Sequence, residues 1–345
     1  MEPKSGVGEP VLLTGATGFV GRHLWPALEA AGYRVRGLTR DATAARRRWP
    51  EREWITADLE APRGWEQALE GCGAAYYLIH GMGEADDFRA REMAVAQAFA
   101  GAAGAAGIKR IVYLGGIAPA GPASEHLRSR LEVGEALRAG PVPSLELRGG
   151  MIVGFGSISW LMVRDLAARL PAMVLPRWLR CRSQPVGIDD VVAALVAGLR
   201  LPLDASASFD LPGPALLTGR AVLEQTATAM GLHPPLIVEV PLLTPWLSSH
   251  WVRLVTRADW AVARHLVLGL QYDLIARDGA YWERIGHRPL LAFPDAASRA
   301  LAAEATSRQR ETGQETRGNA PRSGVASDFG RTVERFVTTL RRERP

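Results

Sequence analysis

Residues 10–24 read Pro-Val-Leu-Leu-Thr-Gly-Ala-Thr-Gly-Phe-Val-Gly-Arg-His-Leu, and no other stretch narrows the possible folds as much. A short apolar run leads into a glycine-rich turn. Apolar residues then recur at Val20, Leu24 and Leu28, the spacing of one helix face. Gly15 lets the chain turn sharply off the strand, Gly18 lets the backbone approach a pyrophosphate, and Gly21 lets the helix pack closely on the strand. The helix N-terminus then offers aligned N–H donors to the anion. A glycine triplet alone also fits a plain structural turn; set between an apolar strand and a helix, it predicts a dinucleotide cradle.

The end of the next strand bears on which dinucleotide is held. A site for NAD(H) usually carries an acid there to accept from the ribose 2′-hydroxyl. This chain reads Gly37-Leu38-Thr39-Arg40, with no acid before Asp41. Arg40, with Arg46 nearby in sequence, offers charged donors to a 2′-phosphate, so NADP(H) is expected over NAD(H). The plainer alternative is an Arg40 that sits on a solvated loop.

Further strand-like runs fall at 33–38, 53–56, 74–79, 110–114 and 144–147, separated by Ala/Glu/Arg-rich stretches of helical length, notably 86–106. Strands alternating with helices predict a doubly wound parallel sheet of the Rossmann type. Past residue 180 the pattern loosens. A helix is expected over 189–199, and residues 200–300 are rich in Pro and Trp. The expected organisation is a dinucleotide-binding domain over 9–180, a smaller substrate-binding region over 181–302, a flexible polar linker over 303–325 and an amphipathic helix over 326–345. The helix would carry Phe329, Val333, Phe336, Val337 and Leu340 on one face. Docking onto the protein is the main expectation for it, with a membrane surface or a partner protein as the lesser alternative.

Composition removes other classes. With 345 residues, 47% hydrophobic and 22% charged, the chain has ample core material and is neither disordered throughout nor collagen-like. Cys72 and Cys181 are its only cysteines, too few for a disulfide framework or a Cys-built metal site. No apolar h-region opens the sequence and no run approaches a membrane span, so a cytoplasmic protein is expected. The net charge of +5 comes from arginines spread along the chain, with lysine only at Lys4 and Lys109, and no DNA-binding spacing accompanies it. A small-molecule substrate is therefore the expected partner, and nucleic acid is not.

Several of these segments together resemble a known family. Thr14-Gly-Ala-Thr-Gly-Phe-Val-Gly21 has the TGxxGxxG form of extended and atypical short-chain dehydrogenase/reductases. Ala75–Met82 and Lys109–Ile117 are similar to the fourth and fifth strands of bacterial NmrA-like members. Residues 126–135 resemble the helix that follows, and 184–192 the start of a late helix. The resemblance implies that Gly15, Thr17, Gly18, Phe19 and Val20 contact the pyrophosphate, with Gly21 closing the loop. It implies Arg40 at the 2′-phosphate and Asp58 with Leu59 at the adenine. Leu78, Ile79, His80 and Gly81 would line the ribose and nicotinamide, and Ile152 the nicotinamide face.

The chain departs from that family where the chemistry is done. Short-chain reductases use a Tyr-x-x-x-Lys pair, the tyrosine as acid or base and the lysine to lower its pKa and hold the ribose. None of Tyr33, Tyr76, Tyr77, Tyr113, Tyr272 and Tyr281 is followed four residues later by Lys or Arg. His126 and Arg130 align with the pair, and Gly115-Gly116 stands where a serine is usual. Two readings follow. In one, the protein is an NAD(P)H-dependent oxidoreductase acting on a small, fairly apolar substrate. His126 or His80 is then the candidate acid, and Arg130 polarises an oxyanion or clamps the ribose. In the other, it is an inactive NADP(H)-binding sensor or scaffold, like NmrA-like proteins or the accessory subunit of respiratory complex I. Either histidine also fits a helix cap or a pocket wall.

The remaining features have plain readings. Asp189 and Asp190 charge the first turn of a helix rather than bind metal. Trp160, Met162, Met173 and Trp178 fit an apolar substrate mouth or a core. Trp246, Trp251, Trp260 and Trp282 fit a cover for the site or a lipid interface, although interleaved arginines argue against a buried span. Cys181 has no neighbouring base and is not expected to be a nucleophile.

Overall fold

The computed structural model describes residues 8–58, 64–79, 88–169, 172–176, 180–234, 236–240 and 272–315. From the N-terminus, β1 (Val11–Leu13) leads to α1 (Phe19–Ala30), β2 (Val35–Thr39) to α2 (Ala42–Arg48), and β3 (Glu53–Thr56) to α3 (Trp65–Leu69). β4 (Ala74–Tyr77) then leads to α4 (Phe88–Ala105), and β5 (Arg110–Gly116) to α5 (Glu125–Arg138). β6 (Ser144–Gly149) and β7 (Ile152–Val153) precede α6 (Ile158–Arg169). β8 (Ala172–Pro176), β9 (Arg182–Ser183) and β10 (Val186–Gly187) precede α7 (Ile188–Gly198). β11 (Ala207–Leu211), β12 (Leu217–Thr218), α8 (Gly219–Ala229) and β13 (Leu236–Val240) follow, and helices at Ala280–Arg284 and Phe293–Glu315 come last.

Seven strands form one parallel sheet in the order β11-β6-β5-β4-β1-β2-β3. This is the doubly wound sheet expected from the alternating pattern. β1 lies between β4 and β2, so the direction of winding reverses there, and the crevice outside the carboxyl ends of β1 and β4 is where such sheets bind ligands.

Successive side chains of each strand face opposite layers. Val11, Leu13, Tyr76, Val112, Leu114, Leu145 and Leu147 pack with Trp25 and Leu28 of α1 and Leu195 of α7. Leu12, Tyr77, Ile111 and Tyr113 pack on the other side with Phe99 of α4 and Leu137 of α5. Burial on both faces explains the near-continuous apolar strands that made this part legible. On the α1 side, the Trp25 and Trp54 rings lie 4.9 Å apart across β2, which is possible because position 37 carries no side chain. A Cβ at Gly37 would come within 2.7 Å of Trp54 Cε3 and collide with Trp25. Gly37→Ala is accordingly expected to destabilise the protein by about 1–3 kcal/mol, read as a lower urea midpoint; an unchanged midpoint would mean that the indole pair is loose.

Three expectations are corrected. The dinucleotide-binding domain does not end at residue 180: β11 pairs with β6 over Ala207–Leu211, and α7 packs in the same core as α1. The chain divides instead into Met1–Ala300 and Leu301–Pro345. Residues 303–315, expected as flexible linker, are helical. Ala302, Ala303 and Ala305 favour helix, and Arg308 pairs with Glu304 one turn back. Residues 316–345, with the expected terminal helix, lie outside the described residues. Finally, Trp282 is neither a cover for the site nor at a lipid interface, and Trp160 and Met162 take the core reading rather than the substrate mouth. All three are core residues, with Trp160 against Phe293 and Trp282 Nε1 donating to Pro212 O at 2.9 Å. Trp178, Trp246, Trp251 and Trp260 lie outside the described residues. No described helix is long and apolar enough to cross a membrane.

Candidate active site

The glycine loop is stapled to the end of β4. Thr14 Oγ1 donates to Tyr76 O at 2.8 Å and accepts from Leu78 N at 3.0 Å, and Thr14 N donates to Tyr76 O at 3.1 Å. Gly15, at φ +65°, presses its Cα against the Leu78 carbonyl, where a Cβ would overlap it. Gly21 backs onto the loop so closely that a Cβ would lie 2.7 Å from Ala16 Cα. Position 18 differs. Gly18 is exposed, its N donates to Gly15 O at 2.9 Å, and a Cβ there would meet only Gly15 O at 3.1 Å.

That open surface lies at the N-cap of α1, which has neither a side-chain cap nor an acid in its first turn. The first-turn N–H groups therefore face the crevice as a ready anion site. Thr17 is exposed beside Gly18, and Phe19 and Val20 are half-buried. Phe19 packs toward Gly154 and Gly156 after β7; a Cβ at Gly154 would lie 3.1 Å from its ring, and one at Gly156 2.9 Å from Arg22 Nη2. The cradle thus fits a dinucleotide pyrophosphate on backbone shape alone.

The other expected cofactor contacts fall along the same edge. Leu78 and Ile79 are half-buried just past β4. Ile152 is half-buried in β7, its carbonyl accepting from Ser157 Oγ at 2.8 Å. Arg40 is exposed at the end of β2, and Asp58 is exposed after β3. Leu59, His80 and Gly81 lie outside the described residues. Arg46 Nη2 donates to Trp54 O at 2.8 Å. Two cations went unnoticed in the sequence: Arg22, whose Nε donates to Gly18 O at 3.3 Å, and Arg48. Burial and then the neighbouring Arg48 charge lower the Arg22 guanidinium pKa. The signal available in the sequence was the position of Arg22 directly after the third loop glycine.

At the end of β5 the structure explains the missing serine. A Cβ at Gly116 would lie 2.6 Å from Leu127 Cδ1, and one at Gly115 2.8 Å from Glu146 Oε1. Serine fits at neither position unless the Leu127 side chain or the buried glutamate shifts. His126 is half-buried in the first turn of α5, two residues after the Ser124 cap. Arg130 Nη2 donates to Leu114 O at 3.1 Å and Gly115 O at 3.2 Å, and Arg130 O accepts from Tyr113 Oη at 2.8 Å. That nitrogen is committed to holding the end of β5.

Asp190, read as a first-turn charge, has a more particular role. It is buried, accepts from Leu291 N at 3.0 Å and pairs with His287 Nε2 at 2.8 Å, fixing the 287–291 segment to α7.

A parallel sheet with its winding reversed at β1, and an open glycine cradle beside that point, are the features of a dinucleotide-binding α/β fold. The comparisons narrow the class. The model of the NAD dependent epimerase/dehydratase family matches residues 11–143. A ceramide reductase of Caulobacter vibrioides (strain NA1000 / CB15N) is 33% identical over 235 residues, covering 66% of this chain and 72% of that protein. Among solved structures, the Citrobacter sp. triphenylmethane reductase complexed with NADP(H) superposes with a TM-score of 0.67 at 16% identity, over 84% of this chain and 99% of that one. A short-chain dehydrogenase/reductase superfamily protein of Agrobacterium tumefaciens with bound NAD gives 0.60 at 20% identity, over 89% and 99%. These two likenesses show the fold. The chain belongs to the NAD-dependent epimerase/dehydratase family.

Proposed function

We propose that this protein is an NADP(H)-preferring reductase of a carbonyl group in a long-chain, N-acylated amino lipid of the ceramide class. The observation that carries this reading is the 33% identity to a ceramide reductase over 235 residues, set on a glycine loop shaped for a pyrophosphate. The arginine at the end of β2, with no acid before Asp41, supports the phosphorylated cofactor.

When bound, the dinucleotide supplies hydride chemistry at its nicotinamide ring. In this reading the first turn of α1, with Thr17, Gly18, Phe19 and Val20, holds the pyrophosphate. Arg40 holds the 2′-phosphate, while Asp58 and Leu59 border the adenine. Leu78, Ile79, His80, Gly81 and Ile152 form the wall on the nicotinamide side, Ile152 as an apolar face. His126 hydrogen-bonds the substrate oxygen from the start of α5, and Arg130 keeps the end of β5 fixed behind it.

Arg40→Ala is expected to weaken NADPH binding by about 10- to 100-fold, the range of a lost charged hydrogen bond, and to leave NADH binding nearly unchanged. Equal losses for both dinucleotides, measured by fluorescence titration, would remove Arg40 from the 2′-phosphate. The activity itself is tested by following NADPH oxidation at its near-ultraviolet absorption band, with a long-chain 2-amido ketone as substrate. Consumption that depends on the ketone supports the reductase. Tight NADPH binding with no turnover favours the second reading, an NADP(H)-binding sensor or scaffold, to which the missing Tyr-x-x-x-Lys pair also points.

A further inference from the structure

No tyrosine stands where the family's does, so a phenol from another part of the chain is a candidate for the proton donor, and all six tyrosines of the chain are described. Four of them are core residues. Tyr76 donates to Leu195 O, Tyr113 to Arg130 O and Tyr281 to Ala194 O, each at 2.8 Å, and Tyr77 is buried against Phe99 and Tyr113. Burial pushes all four phenols up, Tyr113 to about 12. Tyr33 lies just before β2, at the opposite edge of the sheet from the glycine cradle, and its oxygen accepts from Arg200 Nε at 2.9 Å.

Tyr272 is different in every respect. It is 40% exposed, and its ring lies on Gly121, in the connection between β5 and α5. A Cβ at Gly121 would come within 2.6 Å of Tyr272 Cε1 and 3.0 Å of Cγ, so the ring is seated on bare backbone. This connection leaves the carboxyl edge of β5, on the side of β1 expected to hold the nicotinamide half.

The segment that brings Tyr272 there is firmly tied. Ala120 N donates to Asp273 O at 3.0 Å and Leu274 N to Arg182 O at 2.8 Å. Asp273 Oδ1 accepts from Arg182 N at 2.7 Å, and Oδ2 accepts from Arg182 Nε and Nη2 at 2.9 and 2.7 Å. The Arg182 backbone N–H, and then its guanidinium, hold the Asp273 carboxyl pKa below the usual carboxylate range. Ala276 N donates to Gln184 Oε1 at 2.9 Å on the same side. Such ties hold an otherwise exposed aromatic ring in one place.

We infer that the Tyr272 phenol is the proton donor of this site, taking the place of the family's tyrosine from a different part of the chain. The inference rests on the reductase reading. As the carbonyl carbon gains the hydride, its π pair moves to oxygen, the Tyr272 O–H bond breaks, and the proton forms the alcohol. The phenolate recovers a proton from water, to which the ring is open.

The test uses the full chain and two readouts. In the first, tetranitromethane nitration mapped by peptide mass is expected to slow at Tyr272 when NADP+ saturates the protein and to be unchanged at Tyr33. This readout requires no turnover. In the second, Tyr272→Phe is expected to lower kcat for the 2-amido ketone by about 100-fold or more, with NADPH affinity unchanged, because phenylalanine keeps the packing on Gly121 and loses only the acid. His126→Ala, which loses a hydrogen bond but keeps the acid, is expected to remain more active than Tyr272→Phe. Nitration of Tyr272 that NADP+ does not slow, or a Tyr272→Phe variant with unreduced kcat, would overturn the inference. Failure of the wild-type protein to bind either dinucleotide would overturn the reading beneath it.

Discussion

Gly18→Val is expected to give a folded protein that binds neither NADPH nor NADH. The backbone at position 18 has φ −73° and ψ 177°, extended values open to any residue, and a Cβ there would meet only Gly15 O at 3.1 Å. Only that backbone oxygen has to give, by a few tenths of an ångström, and the fold is expected to survive the change. The valine methyl groups would project over the first turn of α1, into the space where a pyrophosphate meets the N–H donors. An affinity loss of at least about 100-fold, or about 2.7 kcal/mol, is expected, with little movement of the melting temperature. The neighbouring glycines mark the contrast. A side chain at Gly21 would press on the Ala16 backbone, so Gly21→Ala should lower stability as well as binding. Wild-type affinity in Gly18→Val would place the pyrophosphate elsewhere.

The second large effect is on stability. Glu146 of β6 is 1% exposed and sits between Gly115 and Gly134, whose missing side chains make its room. Arg148 Nε and Nη2 donate to its two oxygens at 2.9 and 3.0 Å, and Arg138 of α5 pairs with it from the helix side. Glu146→Ala would leave both guanidiniums without their counter-charge in a largely dry layer. Breaking a buried pair in this way costs about 3–5 kcal/mol. Burial, and then the Arg148 charge, lower the Arg138 guanidinium pKa, while the Glu135 charge raises it. Urea unfolding is the measurement, and a loss below about 1 kcal/mol would show the cluster to be solvent-screened. Because α5 carries His126 and its Arg130 grips β5, the same substitution should also lower activity in whatever protein remains folded.

The sheet was legible in the sequence because each buried strand writes a continuous apolar run, and because the glycine loop fixes where the first one ends. β3 matched the expected 53–56 run, and α4 and α7 fell within two residues of the helices expected over 86–106 and 189–199. β11 was not legible. Ala207-Ser-Phe-Asp-Leu211 is an edge strand that buries only Asp210 and Leu211, so it shows neither the apolar run nor a clean alternation. The helix through residues 303–315 was not legible in the apolar pattern because its residues are polar, and only their helix propensity marks it.

The site divides in the same way. The roles of Gly15 and Gly21 could be read from local spacing. The positions of Tyr272 on Gly121 and of Asp190 on His287 depend on contacts between residues far apart in the chain, which no local pattern records. The double glycine at 115–116 looked like a lost serine. In the fold it is space taken by Glu146 and Leu127.

The crevice at β1 and β4 is expected to hold a nicotinamide dinucleotide and to favour the phosphorylated one. Titration of the purified protein with NADPH and with NADH, following energy transfer from tryptophan to the reduced nicotinamide, tests it most directly. Saturable transfer with both, and NADPH tighter by about 10-fold or more, is the expected result. Absence of transfer with either dinucleotide would contradict the claim, and NADH binding as tightly as NADPH would contradict its second half.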